Sequence, residues 1–154
     1  MSRARVLWLL VSFCCAVPAA LGCRSSALYP ATDVCEGATD TLLTVCAGHE
    51  VLAPGGVMRV AFLGVPSDSR CPVDVQCVWA GNAAVVFGVA FGAGPTVPYV
   101  LNTGLEPRAV TLGSLRLTLA ELRPAPVSTA RIPPDRYVAS LRLERLPGTG
   151  VTRN

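Results

Sequence analysis

The sequence predicts an all-β fold, an antiparallel β-sandwich or small barrel of six to seven short strands, and three observations carry that reading. Residues 82–92, "NAAVVFGVAFG", alternate bulky and small side chains with a period of two, as a strand lying on a core does. Glycine and proline, 14 and 13 in number, cut the chain into short runs. Past the first residues, no stretch holds a convincing helical period. Short strands between turn formers favour the sandwich of the two architectures.

Residues 1–22 read as a secretory signal peptide. Arg3 and Arg5 precede the apolar run "VLWLLVSFCCAV" and then "PAALGC", the charged, apolar, small-residue order of such signals. The run is shorter than the roughly 20 residues a membrane-spanning helix needs. "AALGC" resembles the lipobox of bacterial lipoproteins, with Cys23 as the lipidated residue, although Ala20 stands where leucine is usual. Ordinary cleavage also suits Ala20-x-Gly22. Cysteine parity favours lipidation. Cys14 and Cys15 leave with the signal, so Cys23, Cys35, Cys46, Cys71 and Cys77 remain, an odd set for an exported protein. A lipid on Cys23 leaves four for two bridges, and several acyl chains anchor firmly where one does not. The expected location is the cell envelope, at the membrane surface, or a soluble exported form if Cys23 is simply cleaved past.

The chain is 51% hydrophobic and 15% charged, which excludes a disordered tail. Lysine is absent, and losing Arg3 and Arg5 with the signal brings the net charge close to neutral. Nucleic acid is therefore not an expected partner, because its recognition needs a clustered basic footprint.

Residues 23–40 lack apolar periodicity and read as a tether, pinned in part by Cys35. A single domain spans 41–147, and 148–154 form a flexible tail. "TLLTVC" (41–46) reads as a first short strand and "AGHEVLAPGG" (47–56) as a loop ending in a tight turn. In "VMRVAFLGV" (57–65), Met58, Val60 and Phe62 share a face, with Arg59 opposite. Along 82–92, Val85, Phe87, Val89 and Phe91 face one way and Ala84, Gly88, Ala90 and Gly92 the other, a small-residue face that invites close approach by another backbone. "TVPYVL" (96–101) reads as an edge strand, since Pro98 has no N–H for a ladder. "AVTL" and "LRLTLAEL" flank Gly113-Ser114, a hairpin signal, with Leu115, Leu117 and Leu119 on one face. After the proline-rich loop 123–134, "RYVASLRLERL" turns Tyr137, Ala139, Leu141 and Leu143 inward.

"DSRCPVDVQCVWAGNA", residues 68–83, is the most distinctive stretch. Its C-x5-C spacing is longer than zinc sites use, and no second pair completes a ligand set. Redox motifs place two residues between the thiols. A local disulfide, Cys71–Cys77, is the plain reading, contributing roughly 2 kcal/mol by chain entropy. The second bridge, Cys35–Cys46, follows from choosing short local loops. Pro72 stiffens the loop, Asp68 and Ser69 start turns, and Arg70 pairs with Asp68 or Asp74. Trp79, two residues past Cys77, is expected to lay its indole over the disulfide. Asp68, Arg70, Asp74 and Trp79 are the candidate binding residues.

This stretch, the alternating strand after it and the late P-x-x-Y-x-x-x-L-x-L (134–143) together resemble a family of small exported bacterial proteins, many of them predicted lipoproteins. The resemblance covers roughly residues 48–146. Its specific part is Asp68-Ser69-Arg70-Cys71-Pro72 with Cys77, Trp79, Ala80 and Gly81; Cys35 and Cys46 lie outside it. It implies no mechanism.

Catalysis is not expected. His49, the sole histidine, could join Ser67 or Ser69 and an Asp in a hydrolase triad, but no G-x-S-x-G elbow accompanies them. Asp33, Glu36 and Asp40 miss the spacing of a calcium loop. No cofactor or metal is implied. The sequence thus reads as a non-catalytic, disulfide-stabilised lipoprotein domain with a structural or binding role toward an envelope protein or polymer. The alternative is a metal- or redox-responsive protein using Cys71 and Cys77.

Overall fold

The computed structural model describes Tyr29 and residues 35–147; the expected signal, Cys23, Asp33 and the tail lie outside them. Among the described residues, nine strands form two antiparallel sheets: β1 (Glu36–Ala38), β2 (Leu42–Cys46), β3 (Glu50–Leu52), β4 (Met58–Asp68), β5 (Ala83–Phe91), β6 (Val97–Asn102), β7 (Ala109–Leu112), β8 (Leu115–Arg123) and β9 (Val138–Arg145). One sheet runs β1-β2-β9-β8-β7 and the other β3-β4-β5-β6. Neither closes on itself, so the sandwich holds and the barrel does not. Among the described residues there is no α-helix, only one turn of 3-10 helix at Pro134–Arg136, and no helix is long and apolar enough to cross a membrane.

The alternation read from sequence places the core. Val60, Phe62, Val85 and Phe87 from the four-stranded sheet meet Leu43, Val45, Leu117, Leu119 and Leu141 from the other, all buried. Phe62 and Phe87 are register partners with ring centroids 5.3 Å apart, within the range of favourable aromatic pairs. A β-bulge between Leu119 and Glu121 slips the period by one residue, so Leu122 reaches the core instead of Glu121. The Gly113-Ser114 hairpin forms as expected, with Gly113 at φ 62°. β6, with Pro98, is an edge strand.

Two short strands appear where the sequence suggested none. β1 falls inside the expected tether, and β3 inside the expected loop 47–56. Each has three residues, too few to show a period, and each exists because a longer neighbour offers its edge: β1 pairs with β2 and β3 with β4. Tyr29 is docked as well, 4% exposed, its hydroxyl accepting a hydrogen bond from Val127 N at 3.1 Å. Phe91 departs from the inward face: it ends β5, beyond the core's last contact at Val89, and is 43% exposed. On the small-residue face of β5, Gly88 is met by side chains and not by a backbone. A Cβ on Gly88 would lie 2.5 Å from Thr96 Cγ2 and 3.4 Å from Leu63 Cδ1.

The connections 69–82, 103–108 and 124–137 gather at one end, where β4, β6 and β8 finish and β5, β7 and β9 begin.

Candidate functional site

The stretch 68–83 sits at that end. β4 and β5 continue their ladder past their ends: Ser69 N donates to Asn82 O at 2.7 Å and Cys71 N to Ala80 O at 2.9 Å. Beyond this stem the Cys71–Cys77 disulfide closes the tip, and a second disulfide joins Cys35 to Cys46. Both pairings are those chosen from the sequence. Gly81 makes the stem possible. Its φ is 72°, and a Cβ there would lie 1.9 Å from the Ser69 carbonyl oxygen; only glycine allows the two strands this close. Asn82 then fastens the neighbouring loop, Nδ2 donating to Asn102 Oδ1 at 2.8 Å and Oδ1 accepting from Gly104 N at 2.9 Å.

Arg70 departs most from expectation. It does form its pair with Asp68, bidentate, with Nε–Oδ1 2.9 Å and Nη2–Oδ2 2.6 Å. The pair is not a surface one: the side chains are 14% and 11% exposed. The guanidinium also donates to Leu122 O and, at 2.9 Å, to Pro124 O. Tyr137 completes the cluster, its hydroxyl donating to Asp68 Oδ2 at 3.1 Å. Arg70 therefore bolts the β4–β5 loop of one sheet to the β8–β9 connection of the other. The guanidinium of this candidate binding residue is thus occupied by partners within the fold.

Electrostatics agree with the geometry. Burial pushes the Asp68 carboxyl up, but the hydrogen bonds and charge of Arg70, with the Tyr137 hydroxyl, outweigh it and hold the pKa below 3.8. Burial first, and then the Asp68 charge, push Tyr137 up to about 12. A carboxyl more acidic in the fold than in the unfolded chain stabilises above its unfolded value, and that stability is lost as pH falls through the folded one. Acid melts should therefore show wild type losing stability below about pH 4, and Asp68→Asn a flatter acid limb. Parallel acid limbs would remove Asp68 from the account.

Asp74 makes a second tie. It accepts from Ser128 N at 2.8 Å and from the Ser128 hydroxyl, and these bonds hold its carboxyl below the usual range. Val73 N donates to Pro126 O at 3.0 Å. Asp74 thus ties the loop to Ser128 while its side chain stays exposed.

Trp79 reverses its expected role. It is 82% exposed and does not cover the disulfide; Val78 is 91% exposed, Val73 70% and Val75 46%. A bridge spanning six positions encloses no interior, so these side chains have nothing to fold over, and the loop's inner side is taken up by the ties to Pro126 and Ser128. Trp79→Ala should change stability by no more than about 0.5 kcal/mol, whereas a buried lid would cost roughly 3–5 kcal/mol; thermal melts decide between them. Cys71→Ala with Cys77→Ala should cost about 2 kcal/mol, read in the same way.

Beside the loop, a groove of about 710 Å³ is lined by Val65, Ser67, Asp68, Arg131, Ile132 and Tyr137 among others. Its Asp68 and Tyr137 are already committed to each other and to Arg70. The triad candidates are separated. Phe62 N donates to His49 O, and Ser67 and Ser69 lie further along the chain by about 15–20 Å of extended strand. Among the described residues no group of three His, Cys, Asp or Glu is placed to hold a metal ion.

The partners missed from sequence, the Leu122 and Pro124 carbonyls, Ser128 and the Tyr137 hydroxyl, lie some fifty to seventy positions away in the chain. Nothing local marks them. The exposure of the loop's valines and tryptophan did have a signal, in the large apolar residues crowded around so small a ring. No family model, curated protein or solved structure matches the chain.

Proposed function

We propose that this is an exported, non-catalytic β-sandwich, held at the membrane surface by a lipid on Cys23, that acts by presenting the Cys71–Cys77 loop as a rigid recognition tip. One observation carries the reading. Val73, Val75, Val78 and Trp79 stand exposed on a loop that a disulfide, the Arg70 clamp and the Asp74–Ser128 tie all brace. Large apolar groups left in water on an immobilised loop lower the ordering cost of binding, and tryptophan is the residue type most enriched at binding hot spots. The two disulfides agree with folding in an oxidising compartment.

Metabolic labelling with a fatty acid is expected to mark the wild type and leave Cys23→Ser unlabelled; an unlabelled wild type would sink the anchor. Thiol titration of the native protein should find no reactive sulfhydryl at Cys71 or Cys77. Titratable thiols that bind zinc would favour the metal- or redox-responsive reading instead.

A further inference from the structure

Tyr29, six positions after Cys23, lies at the same end of the molecule as the Cys71–Cys77 loop. Val127 N donates to the buried Tyr29 hydroxyl, while the residues on either side of Val127 hold the tip: Pro126 O accepts from Val73 N, and Ser128 donates to Asp74. Tyr29 is thereby fixed across the Pro126–Ser128 segment from the Cys71–Cys77 loop. Cys23 precedes Tyr29 by six positions, and six residues span at most roughly 20 Å in any conformation. A lipid on Cys23 therefore brings the bilayer to the loop end of the sandwich.

What the loop offers that bilayer is four large apolar side chains and one carboxylate. Val73, Val75, Val78 and Trp79 are its large exposed side chains. Its one carboxylate, Asp74, is tied to Ser128, and the ions at its base, Asp68 and Arg70, are paired and largely buried. Insertion no deeper than the headgroups leaves the Asp74 carboxylate hydrated and the Asp68–Arg70 pair outside the bilayer, and tryptophan favours the headgroup boundary, where its ring is buried and its N–H stays wet. From this arrangement, and resting on the Cys23 anchor proposed above, we infer that the loop is a second, non-covalent membrane contact. Val73, Val75, Val78 and Trp79 enter the surface of the bilayer that holds the lipid, and the sandwich stands with its loop end against the membrane.

Intrinsic fluorescence tests this directly, because the chain has two tryptophans, Trp8 and Trp79, and Trp8→Phe leaves Trp79 as the single reporter. The Trp8→Phe protein, expressed with its signal, exported and reconstituted into phosphatidylethanolamine–phosphatidylglycerol vesicles doped with brominated phosphatidylcholine, should show a blue-shifted Trp79 emission that the bromine quenches, with no Trp8 signal from any uncleaved chain. Adding Val78→Asp should return the emission to its water-like position; Val78 is exposed, so the fold is untouched. A fatty-acid-labelled protein whose Trp79 stays water-like and unquenched overturns the inference and leaves the anchor standing. An unlabelled protein defeats the anchor reading, and vesicles added to that chain then judge the loop alone: quenching means it inserts unaided, and none overturns the inference. A shift that pure vesicles fail to produce, and envelope proteins do, overturns it in favour of a protein partner.

Discussion

Arg70→Ala is expected to destabilise the fold by about 3–5 kcal/mol. The reason is what remains after the guanidinium goes: an Asp68 carboxylate 11% exposed with its cation missing, and the Leu122 and Pro124 carbonyls without their donor. Leaving buried polar groups unpaired costs more than an ordinary hydrogen bond contributes. Removing both charges should cost less than the two single changes together. Asp68→Asn with Arg70→Met is therefore expected to be more stable than Arg70→Met alone, and urea titration of Asp68→Asn, Arg70→Met and the double variant measures the coupling. An Arg70→Ala protein that unfolds at the wild-type urea concentration would mean that the clamp is ornamental.

Gly81→Ala should be nearly as damaging, at about 3 kcal/mol. The left-handed backbone accounts for roughly 1–2 kcal/mol of it. The rest comes from the stem, because a methyl group 1.9 Å from the Ser69 carbonyl oxygen forces apart the Ser69–Asn82 and Cys71–Ala80 hydrogen bonds, each contributing about 1 kcal/mol. Hydrogen exchange at the Ser69 and Cys71 amides distinguishes this cause from a general loss of stability. Both should exchange faster in Gly81→Ala than amides of matched protection in β8 and β9; uniform acceleration would contradict it.

Much of this fold was legible in the sequence because its strands alternate over a half-buried surface. The inward face of β5 as far as Val89 follows from side-chain size, and the hairpin from Gly113-Ser114. β1 and β3 were not legible, since three residues carry no period and their pairing depends on β2 and β4. Within the candidate site, the Cys71–Cys77 ring follows from local spacing, which also offers Arg70 either Asp68 or Asp74 as its partner. The burial of the Asp68–Arg70 pair does not follow locally, because the groups that bury it arrive from the β8–β9 connection. Trp79 shows the same limit. Two residues past a cysteine on an extended chain is a fair position for a lid, but the chain beyond Cys77 is drawn back into the stem by Ala80 and Gly81, and the indole is left in water.

The Cys71–Cys77 loop displays Trp79 to solvent on a folded, braced scaffold. Acrylamide quenching of the Trp8→Phe protein in buffer without lipid measures this exposure. The quenching constant of the folded protein is expected to lie close to that of the same chain in concentrated urea, since Trp79 is 82% exposed. A folded-state constant several-fold smaller than the unfolded one would place the indole under cover and contradict that exposure.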